Sequence, residues 1–159
     1  MKFNSKSIAR SALVAALYVA LTLPLGALAT TPFIQIRPAE ALTMLPILMP
    51  SSIVGLVIGC GIVNLVSSTI VDAIIGTTIT LIAGILTKLI KNPFLAGLPP
   101  VLLNAIGLPI MFYILGYDIV FMYMVVSMLI SQTLWVYGLG LPLHYTLKNL
   151  STHNEWLLK

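Results

Sequence analysis

The residues able to do chemistry are few, and they stand among apolar neighbours. Three amides, Asn64, Asn104 and Gln132, interrupt apolar stretches. Two carboxylates, Glu40 and Asp72, and one guanidinium, Arg37, lie at the ends of such stretches. A polar group in apolar surroundings is costly unless paired, so these side chains turn toward one another or toward a cavity. Their chemistry is that of binding. A carboxylate accepts from two adjacent N–H groups, while amides and Arg37 donate to carbonyls and ring nitrogens. No GxSxG, HExxH, P-loop or dinucleotide fingerprint is present, so the chain reads as a non-enzyme that carries no cofactor and no metal. Without a nucleotide-binding motif it cannot itself burn ATP. The single cysteine, Cys60, excludes an intrachain disulfide and reads as a small apolar filler. His144 and His153 read as interfacial or solvated histidines.

Each candidate also has a plainer role. Arg37 and Glu40 either pair with each other or form part of a lid that offers one cation and one anion to a polar ligand. Asp72 either caps a helix or contacts the ligand. Counted inward from the outer helix ends, Asn104 lies about 17 Å deep, Gln132 about 20 Å and Asn64 about 11 Å. Asn104 and Gln132 therefore either floor one pocket or bond to each other and hold the bundle together. Tyr113, Tyr117, Phe121 and Tyr123 suit an interfacial belt. Trp135 and Tyr137 are deeper and could wall the pocket.

The elements that position these residues follow from composition. Of 159 residues, 59% are hydrophobic and 8% charged, and the mean hydropathy is +1.08. A soluble domain carries about 25% charged residues, so this chain lacks a solvated surface and suits a lipid bilayer. A span needs about 20 apolar residues. The stretches 8–29, 39–50, 53–71, 73–90, 94–115 and 119–147 predict an all-α integral membrane bundle of six transmembrane helices, a single substrate-binding domain over 1–159. The second stretch is short, and the last is interrupted by Gly138, Gly140 and Pro142. Six spans place Lys2, Lys6, Arg10, Lys88, Lys91, Lys148 and Lys159 on one side and Arg37 on the other. The positive-inside rule then makes both termini cytoplasmic in a multi-pass protein of the cell membrane. The basic residues form no stripe, so nucleic acid is not an expected partner. The N-terminal run followed by Ala27-Leu28-Ala29 also has the look of a cleaved leader, but it is long for one. Ala12, Ala16 and Ala20 share one face of the first helix. Such a face packs either within the bundle or against another membrane protein.

The stretch from Arg10 through Ala12, Ala16 and Ala20 to Thr22 resembles the opening of the substrate-binding S component of an energy-coupling-factor (ECF) transporter. Ile34-Gln35-Ile36-Arg37-Pro38-Ala39-Glu40-Ala41-Leu42 is similar to the Gln-x-Arg-x-x-Glu-Ala-Leu stretch of queuosine-precursor transporters of the QueT type. Gly55 to Cys60, Asn64, Asp72 with Gly76 and Thr77, Leu98 to Asn104, and Gly138 to Leu143 extend the likeness along nearly the whole chain. The resemblance implies a bundle that takes a 7-deazaguanine-type queuosine precursor from outside. Its binding residues would be Arg37, Glu40, Asn64, Asp72, Asn104 and Gln132. It further implies that Ala12, Ala16 and Ala20 dock on a transmembrane coupling protein served by two ATPases, and that the bundle topples during transport. The chain departs from the family pattern at Ser131-Gln132, where a Gly-Glu pair is expected. An S component for another vitamin or purine-like compound, and a structural subunit of a membrane complex, are the alternatives.

Overall fold

The computed structural model describes residues 4–31, 35–118 and 120–153. Lys2, Glu155 and Lys159 of the charge pattern, and the side chain of His153, lie outside the described residues. Helix α1 spans Ser5–Thr22 and starts where the Asn4 side chain accepts from Ser7 N at 2.8 Å, which satisfies one of the free donors of its first turn. A tighter 3-10 run, Leu23–Ala29, continues it and kinks at Gly26, whose φ of 53° favours a residue without Cβ. After an extended stretch comes a second 3-10 helix, Pro38–Ile47, opened by Pro38. Helix α2 covers Ser52–Ser67, α3 Ile70–Leu89, α4 Pro93–Ala96, α5 Leu98–Ile114 and α6 Phe121–Thr133. A π-helical segment, Leu134–Gly140, joins α6 to α7, Leu141–His153. The interruption at Gly138, Gly140 and Pro142 thus coincides with a π turn and does not end the last helix.

The described residues are helical throughout their regular structure, as the sequence predicts. Among the described residues four segments are long and apolar enough to cross a membrane: Ser5–Ala29, Ile70–Leu89, Pro93–Ile114 and Phe121–Ser151. Ser52–Ser67 is apolar but shorter. Pro38–Ile47 has only ten residues. A 3-10 helix rises about 2.0 Å per residue, so this one reaches about 20 Å where an α-helix of equal length reaches about 15 Å.

Small residues let the helices approach. A Cβ on Gly55 would lie 2.4 Å from the Ser11 carbonyl, and one on Gly59 would lie 2.7 Å from Tyr18 Cβ. The Ser11 hydroxyl donates to Ser51 O at 2.7 Å, so α1 and α2 begin at the same end of the bundle. Gly84 meets Ile53 there, and Thr87 donates to Ala96 O at 3.0 Å. This Lys88 end gathers Lys6, Arg10, Lys88 and Lys91. At the opposite Asp72 end, Thr30 donates to Ser67 O at 3.2 Å. The Pro38–Ile47 helix lies at the centre, with Ala39 through Pro46 all buried. Gly140 admits it closely, since a Cβ there would stand 2.8 Å from Ala41 O. Val14, Tyr18, Leu42, Leu45 and Leu56 form one apolar cluster; Leu108, Phe112, Met124 and Met128 belong to another. The outer faces are apolar too, with Leu65, Ile74 and Ile114 among many exposed side chains. So large an exposed apolar surface belongs against lipid.

Candidate functional site

The site is built around the extended segment before the central 3-10 helix. Side chains alternate along an extended chain, and here Gln35 and Arg37 are buried while Ile36 is half-buried. Arg37 is 2% exposed, so its charge must be answered inside the protein. Its Nε donates to Ala29 O at 2.5 Å and its Nη2 to Asn64 Oδ1 at 2.8 Å. Asn64 in turn donates from Nδ2 to Asp72 O at 3.3 Å and lies 3.5 Å from Cys60 Sγ. Both ends of this amide are therefore engaged. Glu40 accepts from the Tyr18 hydroxyl at 2.8 Å. The hydrogen bonds of Arg37 and Glu40 go to other groups, and the mutual pair that the sequence allowed is not formed.

Asp72 stands in the first turn of α3, but it is not the cap. Thr69 takes that role, its hydroxyl accepting from Asp72 N at 3.1 Å. The Asp72 side chain is 1% exposed, and neither carboxylate oxygen has a hydrogen-bond partner. It lies over Gly76, where a Cβ would sit 3.3 Å from Asp72 Oδ1 and 2.6 Å from Asn64 Nδ2. Only glycine leaves that space open. Asn64 is also shallower than the sequence suggests. Helix α2 ends at Ser67 rather than Val71, so Asn64 is three residues from its end, about 4.5 Å by helical rise.

The other two amides lie deeper. Asn104 donates to Pro100 O of its own helix at 2.9 Å. Gln132 is fully buried, and neither its Nε2 nor its Oε1 has a partner. The Asn104–Gln132 pair that would have held the bundle together is absent. Ile79 meets Gly107 across the α3–α5 contact. Asp72 is seven residues from Ile79 and Asn104 three from Gly107, so Asp72 and Asn104 are about 15 Å apart along the helix axes. The polar interior is thus elongated, with a charged portion at the Asp72 end and an amide portion below it.

Gln35 links the two portions, and residue-by-residue reading did not single it out. Its side chain is fully buried with both amide atoms unpartnered. Its backbone carbonyl accepts from the Ser131 hydroxyl, beside Gln132. The signal available in sequence was its place two residues before Arg37, on the same face of an extended chain. Buried polar atoms are nearly always bonded. Gln35, Asp72 and Gln132 are exceptions, each with its side-chain polar atoms unbonded.

Several expected roles fall elsewhere. Tyr137 donates to Phe94 O at 2.8 Å and packs on the Phe94 ring at 5.1 Å, at the Lys88 end. Trp135 lines a surface cleft with Leu134, Gly138 and Leu139. Neither walls the site. His144 is buried, 1% exposed, with Nδ1 unpartnered, and is therefore neither interfacial nor solvated; α7 turns it inward beside Leu143, which packs on the central cluster. Tyr113, Tyr117 and Tyr123 are exposed near the α5–α6 connection, as an interfacial belt requires. Ala12, Ala16 and Ala20 are all exposed, so packing within this bundle does not account for them.

An all-helical bundle with apolar outer faces and a buried, partly unbonded polar interior defines a membrane protein. Among the described residues no group of three or more His, Cys, Asp or Glu could hold a metal ion. A family model described as QueT transporter matches residues 8–149. The chain belongs to the QueT transporter family, and it is a membrane transport protein. No curated protein and no solved structure matches it.

Proposed function

We propose that the chain is the substrate-binding S component of an ECF importer and captures a queuosine precursor, a 7-deazaguanine-type base. In this reading Ser52–Ser67 and Pro38–Ile47 complete six spans with the four longer segments, and both termini are cytoplasmic in the cell membrane. The ligand enters at the Asp72 end and lies among Arg37, Asp72, Asn104, Gln132 and Gln35. Glu40 and Asn64 hold the entrance segment and the Arg37 fork in place. The observation that carries the reading is the set of unbonded polar atoms on Gln35, Asp72 and Gln132, enclosed in an apolar bundle. A guanine-like base offers donors, acceptors and a flat apolar face, the inventory such a site lacks. A pocket that satisfies every polar group rejects analogues missing one, because a partner is then left unpaired.

Transport then divides among partners. The exposed face of Ala12, Ala16 and Ala20 docks on the transmembrane coupling protein, and two ATPases supply the energy. Small residues suit that contact because helices in lipid associate by close packing. The test is a binding titration of the purified chain with 7-deazaguanine precursors, guanine and a panel of vitamins. Selective binding of a 7-deazaguanine supports the precursor. A vitamin bound in its place keeps the transporter and replaces the ligand. Silence across the panel overturns the reading in favour of a structural subunit.

A further inference from the structure

We propose that Asp72, and not Glu40, is the carboxylate that receives two adjacent N–H donors of the ligand, so that the site selects an amino-bearing heterocycle edge. The inference rests on the binding reading above and assigns its specificity. Two buried carboxylates stand near the entrance segment, and the family resemblance alone does not choose between them. Their surroundings do. Glu40 already accepts from Tyr18 at 2.8 Å and stands in the first turn of the central 3-10 helix, where it acts as a strut between that helix and α1. Asp72 is as deeply buried, yet both its oxygens are unbonded.

Its position is also prepared. Thr69 relieves Asp72 of capping α3. Asn64 grips the Asp72 backbone carbonyl, which fixes the residue while leaving its side chain untouched. Gly76 leaves out a Cβ that would stand 3.3 Å from Oδ1. Arg37, held by Ala29 and Asn64, is close enough for its charge to act on Asp72 without bonding it. Two carboxylate oxygens side by side match a ring N–H next to an exocyclic amine, and the neighbouring guanidinium suits an adjoining carbonyl. That donor–donor–acceptor order is the edge of a 2-amino-4-oxo-pyrimidine ring. The chain carries Gln132 at the deeper position, whose single acceptor oxygen cannot take both donors, so Asp72 is the carboxylate left for the task.

The test compares 7-deazaguanine with 7-deazahypoxanthine, which lacks the exocyclic amine, on the full-length chain in detergent. Wild type should prefer the amine-bearing base by about a hundredfold, the scale of a lost charge-assisted hydrogen bond with its partner left buried. Asp72→Asn should shrink that preference to about threefold or less, because an amide accepts only one of the donors. Glu40→Gln should weaken both bases alike and keep their ratio. Asp72→Ser is read in the same way should the amide variant fail to fold. Full preference retained in the Asp72 variants, or lost in Glu40→Gln, overturns the assignment. If wild type binds guanine or a pterin but no 7-deazaguanine, the precursor reading fails alone, and the Asp72 comparison is run on that base with and without its amine. Binding of none of these bases overturns both.

Discussion

Gln132 has two amide atoms and no partner for either in the interior. An unbonded buried polar group costs about 1–3 kcal/mol, whereas an apolar group of similar shape costs nothing of the kind. Gln132→Met should therefore raise the stability of the ligand-free protein by about 1–3 kcal/mol while weakening ligand binding. Thermal unfolding in detergent with and without ligand checks both arms, and a loss of stability in the empty protein would show that Gln132 is bonded after all. Tyr18→Phe does the opposite at Glu40. It removes the hydroxyl that answers a buried carboxylate and should cost about 1–3 kcal/mol in the same assay. At this scale the residue types in the sequence were informative and their pairings were not. Arg37, Glu40 and Asp72 could be named from burial chemistry. That Asn64 would be used up between Arg37 and Asp72, and that Gln35 would stay unbonded, depends on distances across helices far apart in the chain.

Helix α1 presents two different faces, one buried and one exposed. Val14, Ala15 and Tyr18 face inward and Ala12, Ala16 and Ala20 outward. The inward face meets glycines of α2, and a Cβ on Gly59 would fall 2.7 Å from Tyr18 Cβ. Gly59→Val should therefore part the helices and destabilise the protein by about 1–3 kcal/mol, the usual cost of overpacking. Ala16→Trp alters only the outward face. In proteoliposomes with the coupling protein and ATPases it should abolish uptake and leave ligand affinity within about twofold of wild type, since no site residue is touched. Uptake at the wild-type rate would remove this face from the docking contact. The helix-forming stretches were legible from apolar runs and capping residues. The central Pro38–Ile47 helix was legible as a short span but not as a 3-10 helix, because residue propensities over ten residues do not separate 3-10 from α winding.

Across the whole molecule the basic residues sort by end. Lys6, Arg10, Lys88 and Lys91 gather opposite Asp72, and Arg37 lies among the buried groups near Asp72. In a bilayer such a bias sets orientation. The one native cysteine is buried, so single introduced cysteines report sidedness against a quiet background. Asp118→Cys should react with a membrane-impermeant thiol reagent on intact cells, and Lys91→Cys only after permeabilisation; the reverse pattern would invert the topology. Charge placement of this kind reads directly from sequence. The division of the interior into a charged and an amide portion does not, since it arises only when α3, α5 and α6 are set side by side.

The π turn at Leu134–Gly140 stands between the amide portion of the site and the inward-facing His144. A π turn holds one more residue than its α counterpart, which makes the last long helix a phased object, its two halves offset like threads cut by different dies. Each α-helical residue turns the chain by about 100°. Deleting a single residue within 134–140 would let the turn relax to α geometry while leaving the register on both sides intact, whereas the same deletion in Leu141–His153 would swing everything after it by about 100° and carry the helix's buried face toward lipid. Length variation between relatives, on this reasoning, is tolerable at that bulge and ruinous just beyond it.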